Sequence, residues 1–116
     1  MIAHVILFQP RADLSPAQRA GLLDAIAAAA SRIPAVRRFR VGRRITHGLP
    51  GYEQLAQPPF EYAAIAEFDD PEALKAYLAH PAHEAIGAHF YGSAAAALAY
   101  DFEMVDLADA ASLLEN

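Results

Sequence analysis

The chain has 116 residues, of which 55% are hydrophobic and 20% charged, and its formal net charge at pH 7 is −5. This length suits a single domain, and the absence of cysteine excludes disulfides, thiolate metal sites and a cysteine nucleophile. The negative charge argues against nucleic acid and anionic membrane as partners. With no transmembrane run and no signal peptide in the sequence, a cytoplasmic location is expected.

The first predicted elements are a strand and a capped helix. Residues 2–9 form a β-branched and aromatic run that ends at Pro10 and is apolar on both alternating faces, which is typical of a strand covered on both sides. Ser15 and Gln18 fit a capping box, and Pro16 suits the first helical position. A helix therefore begins at Ser15.

A second strand is predicted after Pro34, which ends the helix. Residues 35–46 alternate roughly, and Gly42 suggests a bulge or bend within them. The segment 47–60 carries three prolines and two glycines, which predicts a long loop. A loop of this length is either a functional lid or a surface insertion without a role.

The second half of the chain predicts a strand, two helix pieces and a last strand. Residues 61–68 form the third strand, and Asp70 with Pro71 begins a helix. Pro81 interrupts this helix and starts a second piece that is expected to extend to about Ala97. The fourth strand is placed at 99–106, and a helical or frayed tail at 107–116.

The order of elements is that of a ferredoxin-like βαββαβ fold of the α+β class. It predicts an antiparallel sheet with helices on one face. Because the first and third strands are apolar on both sides, the second face needs a cover, and another copy of the chain would supply it as a dimeric α+β barrel.

Four segments carry a resemblance to a known family. They are MIAHVILFQ at the start, IPAVRRFRVG after the first helix, ALKAYLAHPAHEA after the third strand and YDFEM near the end. Together they resemble the stress-responsive A/B barrel (Dabb) domain family of dimeric α+β barrels. The resemblance spans residues 1–106 and leaves 107–116 as a C-terminal tail.

The resemblance also implies chemistry. Plant polyketide cyclases of the olivetolic acid cyclase type, which belong to that family, close a linear polyketide by an intramolecular aldol reaction without a metal or organic cofactor. The residues that match their motif are Tyr77 and His83, and His4 matches the strand histidine that lines the same pocket. His83 would be the base, Tyr77 the donor or positioning group, and His4 a pocket partner.

A purely structural interpretation of these residues stays open. Tyr77 could be a core residue, His83 a partly exposed helix residue, and His4 an interior histidine satisfied by one hydrogen bond. Tyr77 and His83 straddle Pro81, so a straight helix does not bring them together, although a bend at the proline could. His80 is expected to shape the start of a helix by bonding to nearby groups.

A metal site is the less favoured interpretation of the histidines. His80 and His83 are three residues apart on a helix, a spacing that suits two metal ligands. Two ligands are too few for a site, so His4 or a carboxylate such as Glu67 would have to join them. Neither HExxH nor HxxEH is present. No metal is therefore expected.

The remaining charged residues allow two interpretations. Six of the nine basic residues lie between Arg32 and Arg44. They could bind a carboxylate or a phosphate-bearing substrate such as a coenzyme A thioester, or they could protect a sheet edge and bridge to a partner chain. Asp101 and Glu103 share a strand face; paired carboxylates can do acid–base work, but solvent or an arginine is the expected partner of each.

The functional expectation is a homodimer, associated through its sheet, that binds a small apolar, oxygenated ligand and, as an enzyme, works as a cofactor-independent cyclase or lyase. Two alternatives remain. One is a non-catalytic stress-response or ligand-binding dimer, and the other is a cofactor-free monooxygenase of a related barrel.

Overall fold

The structure of the chain is a computed structural model that describes residues 1–51 and 60–115. The larger part of the predicted loop 47–60 therefore lies outside the described residues. The elements are β1 (Ile2–Pro10), α1 (Pro16–Arg32), β2 (Arg38–Arg43), β3 (Tyr62–Phe68), α2 (Pro71–Ala79), α3 (Pro81–Ser93), β4 (Ala94–Glu103) and a 3₁₀ helix (Leu107–Leu114).

The four strands form one antiparallel sheet in the order β2-β3-β1-β4. This order and the helices between the strands confirm the ferredoxin-like βαββαβ fold. None of the described helices is both long enough and apolar enough to cross a bilayer.

The predicted helix starts are confirmed by their caps. Ser15 accepts a hydrogen bond from the backbone N–H of Gln18, whose side chain accepts one from the backbone N–H of Ser15. Asp70 accepts from the backbone N–H of Ala73 at 2.8 Å, and Pro71 follows it. These side chains satisfy N–H groups that the first turn of a helix leaves without partners.

Two predicted boundaries were wrong. The helix expected to reach Ala97 ends at Ser93, and the last strand spans Ala94–Glu103 instead of 99–106. The alanine tract favours helix locally, but its backbone pairs with β1, where Ala97 lies opposite Phe8. A long-range ladder therefore overrides a weak local propensity.

The bulge expected at Gly42 is also absent from its predicted place. Gly42 lies in regular register opposite Ala63, within a strand that is shorter than the predicted 35–46. The register shift occurs instead between Gln9 and Pro10, where β1 meets β4. Proline cannot donate a hydrogen bond to the ladder, and this position accommodates it.

The sheet buries one face and exposes the other. Helices cover the face that carries Ile2, Ala66 and Phe68, which pack with residues of all three helices in one cluster. On the opposite face, Leu98, Tyr100 and Phe102 of β4 remain 39%, 57% and 49% exposed; their register partners on β1 are Leu7, Val5 and Ala3. The described chain thus has a second apolar sheet face without a cover of its own.

We expect Phe68→Ala to lower the free energy of unfolding by about 3–5 kcal/mol, because Phe68 is completely buried and its loss leaves a cavity. Urea denaturation followed by circular dichroism measures this change. The control is Tyr91→Ala, since Tyr91 is 87% exposed on α3 and its truncation should change stability by less than about 0.5 kcal/mol. Equal losses in the two variants would contradict the assigned core.

Candidate functional site

The ring of Tyr77 is the centre of the candidate site. Tyr77 lies on α2 and is only 1% exposed. Its ring centroid is 5.0 Å from that of Phe68, 4.8 Å from His83 and 5.9 Å from His4, and both histidine contacts are edge-on. The structure thus brings together all three residues that the sequence singled out.

A break between two helices places Tyr77 and His83 side by side. In one straight helix, six residues turn the chain by roughly 600°, so the two side chains would point about 120° apart. His80 ends α2 and also caps α3, where its Nδ1 accepts from the backbone N–H of Ala82 at 3.0 Å. The expected structural role of His80 is confirmed, and so is the bend at Pro81.

His4 is held by a carboxylate on the neighbouring strand. His4 of β1 lies opposite Asp101 of β4, and its Nδ1 is 2.5 Å from Oδ1 of Asp101. The expectation that Asp101 pairs with solvent or an arginine was therefore wrong, because the strand register places it beside a buried histidine. A carboxylate acceptor favours the tautomer with the proton on Nδ1, and it fixes the orientation of the ring.

Burial shifts the pKa values of Tyr77 and His83 in the directions that favour their neutral forms. It raises the pKa of Tyr77 to about 12. It also lowers the pKa of His83 below the usual 6.5, and the charge of His4 lowers it further, against smaller opposing effects of the Leu78 backbone and Glu84. A neutral imidazole can accept a proton, and a protonated phenol can donate a hydrogen bond.

The cluster borders a cavity of about 590 Å³ between the sheet and the helices. Tyr77 and His83 contribute to its lining, and most of the remaining wall is apolar; examples are Ile6, Phe8, Leu22, Ile26 and Phe90. This volume lies within the range of small-molecule sites, which are commonly apolar with a few polar groups. The lining also includes Arg11, Arg19, Arg43 and Glu61.

The structure separates the groups that were considered as metal ligands. Glu67 pairs with Ala3, the neighbour of His4 on β1, so Glu67 lies on the opposite sheet face from His4. Its Oε1 is 3.3 Å from a guanidinium nitrogen of Arg40. His80 uses its Nδ1 for the helix cap. Within residues 1–51 and 60–115, no three His, Cys, Asp or Glu side chains are grouped to hold a metal ion.

Three arginines of the arginine-rich segment differ in their surroundings. Arg37 and Arg40 bind acidic residues of their own chain, with Arg37 Nε 2.8 Å from Asp69 and Arg40 next to Glu67. Arg43, on the helix-covered face, lies in the wall of the cavity. The bridging of such arginines to a partner chain stays a prediction.

The sequence matches the family model of the stress responsive A/B barrel domain over residues 2–104. This match confirms the resemblance inferred from the four segments. No protein of curated function matches the chain in sequence.

Similar solved structures show the same fold at low identity. The protein At3g17210 from Arabidopsis thaliana superposes with a TM-score of 0.74 at 23% identity, covering 92% of this chain and 98% of its own. A dimeric ferredoxin-like protein from Thermobifida fusca gives 0.69 at 24% identity, with 89% and 90% covered. A hydroxynitrile lyase from Passiflora edulis gives 0.74 at 11% identity, with 90% and 94% covered.

We expect His4→Gln to raise the pKa of His83, because it removes the electrostatic effect of His4 that helps to lower it. The value should stay below 6.5, since burial is the larger cause and remains. An NMR titration of the His83 ring measures this shift. The variant His89→Gln is the control, because His89 contributes nothing to the His83 pKa. An unchanged His83 pKa in His4→Gln would show that the two rings are not electrostatically coupled.

Proposed function

This chain belongs to the stress-responsive A/B barrel domain family, and from this premise we propose that it is a cofactor-independent acid–base enzyme. It binds a small apolar, oxygenated ligand in the cavity and acts at a carbon next to a carbonyl, as a polyketide cyclase or lyase does. The observation that carries this proposal is the convergence of His4 and His83 on Tyr77, with Tyr77 and His83 in the wall of one open, mostly apolar cavity.

His83 is proposed as the base. Its lowered pKa keeps the imidazole neutral at pH 7, so it can remove a proton from a carbon made acidic by a carbonyl. The resulting enolate attacks a second carbonyl of the same molecule, which forms a carbon–carbon bond and leaves an alkoxide. An apolar wall strengthens this step, because it removes water that would otherwise compete for the charges.

Tyr77 is proposed to stabilise the alkoxide by donating a hydrogen bond. With a pKa of about 12, its hydroxyl stays protonated at neutral pH. When the alkoxide takes the tyrosine proton, protonated His83 would return a proton to the phenolate; the two ring centroids are 4.8 Å apart. Both residues are then restored, and no redox partner or metal takes part in the step.

His4 and Asp101 support the pair from the sheet. Asp101 holds the His4 ring, which meets the Tyr77 ring edge-on at a centroid separation of 5.9 Å. We assign His4 as a pocket partner of Tyr77 and Asp101 as a positioning residue. Asp101 gives no signal in the sequence by itself, because only the pairing of β1 with β4 connects it to His4.

One similar structure shows that an enzyme can be built on this fold. It is a hydroxynitrile lyase from Passiflora edulis. At 11% identity it shares the fold alone with this chain. The reaction must therefore be established on this protein itself.

We also propose that the chain forms a homodimer through its open sheet face. Leu98, Tyr100 and Phe102 form a contiguous, partly exposed apolar row there, and such rows in soluble proteins usually mark an interface. The similar structure from Thermobifida fusca is dimeric. Pairing of two such faces would remove the exposed row from water.

We expect the protein to accelerate the exchange of α-protons of an apolar ketone such as phenylacetone for deuterium in heavy water. His83→Gln should reduce the protein-dependent rate by about 10²–10⁴-fold, because the base is lost. Proton NMR follows the exchange. The rate should fall as the pH drops through the lowered pKa of His83, where the imidazole becomes charged.

The control for this measurement is His89→Gln, a histidine on the same helix that lies against Gly21 of α1 and outside the cavity wall. It should leave the rate unchanged. Undiminished protein-dependent exchange in His83→Gln would remove the assignment of His83 as the base. Absence of protein-dependent exchange in the wild-type protein would favour the non-catalytic ligand-binding dimer.

We expect Tyr100→Glu to convert the dimer to a monomer, because it buries a charge at the centre of the proposed interface. Light scattering coupled to size-exclusion chromatography measures the mass. Tyr91→Glu, a substitution at an exposed position on α3, should leave the mass unchanged. A wild-type protein that elutes as a monomer at all concentrations would contradict the proposed interface.

A further inference from the structure

Building on the cavity function proposed above, we propose that the ligand carries an anionic group at the end remote from its reacting carbonyl, and that Arg19 and Arg43 bind this group. The substrate class would then be an elongated apolar acid. Both arginines lie in the wall of the same cavity as Tyr77 and His83.

The strand register places Arg43 far from the histidine cluster. His4 lies opposite Ala66, and Ala66 lies opposite Phe39. Four residues further on, Phe8 of β1 lies opposite Tyr62, which lies opposite Arg43. At about 3.3 Å per residue, the row with Arg43 is roughly 13 Å along the strands from the row with His4.

Arg19 lies at the same end of the cavity as Arg43. It follows the capped start of α1 at Ser15, while Ala29, further along the helix, packs in the cluster with Ile2 and Phe68 beside the His4 row. The helix thus runs back from the arginine end to the histidine end. The cavity has neutral acid–base groups at one end and guanidinium groups at the other.

The charges at the arginine end leave a positive excess. Arg11 also lines the cavity, but it is occupied by Asp13, with nitrogen–oxygen distances of 3.0 and 2.7 Å. The carboxylate of Glu61 accepts a hydrogen bond from Gln9. Among the described residues, neither Arg19 nor Arg43 has a carboxylate partner. The arginine end of the cavity therefore has two unpaired guanidinium groups and one carboxylate, that of Glu61.

Simple solvation of surface arginines explains this arrangement less well. Arg37 and Arg40 of the basic segment point elsewhere and each has an acidic partner, whereas Arg32, Arg38 and Arg44 lie outside the cavity wall. Arg19 and Arg43 differ from all of these because they line the cavity without an ion-pair partner in the described part of the chain, and the carboxylate of Glu61 in the same wall is hydrogen-bonded to Gln9. A ligand carboxylate or phosphate ester would supply the missing partner.

The test uses isothermal titration of the full-length protein with decanoate, decyl phosphate and decanol at pH 8, where His83 is neutral and decanoate is ionised. We expect decanoate to bind about 10-fold more tightly than decanol, as two partly exposed ion pairs would produce. Whichever anion binds more tightly, decanoate or decyl phosphate, identifies the group that the site prefers.

The variant Arg19→Gln/Arg43→Gln should lose this preference while its affinity for decanol stays the same. The control Arg32→Gln/Lys75→Gln removes the same charge from exposed positions on α1 and α2 outside the cavity wall, and it should keep the preference. A preference that disappears equally in both double variants reflects net charge and would overturn the assignment.

The outcomes separate this inference from the proposed function. Equal affinities of the wild-type protein for decanol and the two anions would overturn the anionic site and leave the apolar cavity in place. No binding of any of the three ligands would overturn both. Because the comparison of ligands on the wild-type protein needs no substitution, it decides the matter even if a variant fails to fold.

Discussion

The arrangement of the site depends on the burial of one aromatic ring. Tyr77 is enclosed by Phe68 from the sheet and by the rings of His4 and His83. The same burial that places Tyr77 in the core raises its pKa to about 12, and the partial burial of His83 lowers that histidine's pKa. Packing and the shifts of both pKa values therefore share one main cause, which is the burial of the two side chains.

The parts of the structure that local sequence encodes were predictable. The caps at Ser15 and Asp70 and the break at His80 and Pro81 each involve a few consecutive residues, and the structure contains all of them. The errors arose where distant segments decide. The alanine tract of β4 becomes a strand only because β1 is its neighbour, and Asp101 reaches His4 only through that pairing.

For the same reason, the candidate site was partly accessible from sequence. A family resemblance indicated His4, Tyr77 and His83, and Pro81 marked the break that brings Tyr77 to His83, but the contact of His4 with Tyr77 depends on how β1 and α2 dock. Arg19 and Arg43 gave no joint signal, since one lies on α1 and the other on β2, and only the sheet register and the direction of α1 bring them to one end of the cavity. Local patterns therefore predict elements, whereas the site arises from their docking.

The alternation of side chains along β1 separates the two faces of the sheet, with His4 on the cavity side and Val5 on the open side.

The break at His80 has a different consequence, which concerns the sequence separation of the residues that meet at the site. Tyr77 and His83 meet through six residues of chain, so their contact has a very low contact order and a small loop-closure cost. His4 belongs to the first strand, and its contact with Tyr77 closes a loop of most of the chain. The contact between Tyr77 and His83 is thus local in sequence, whereas the contact of His4 with Tyr77 needs two distant segments to dock.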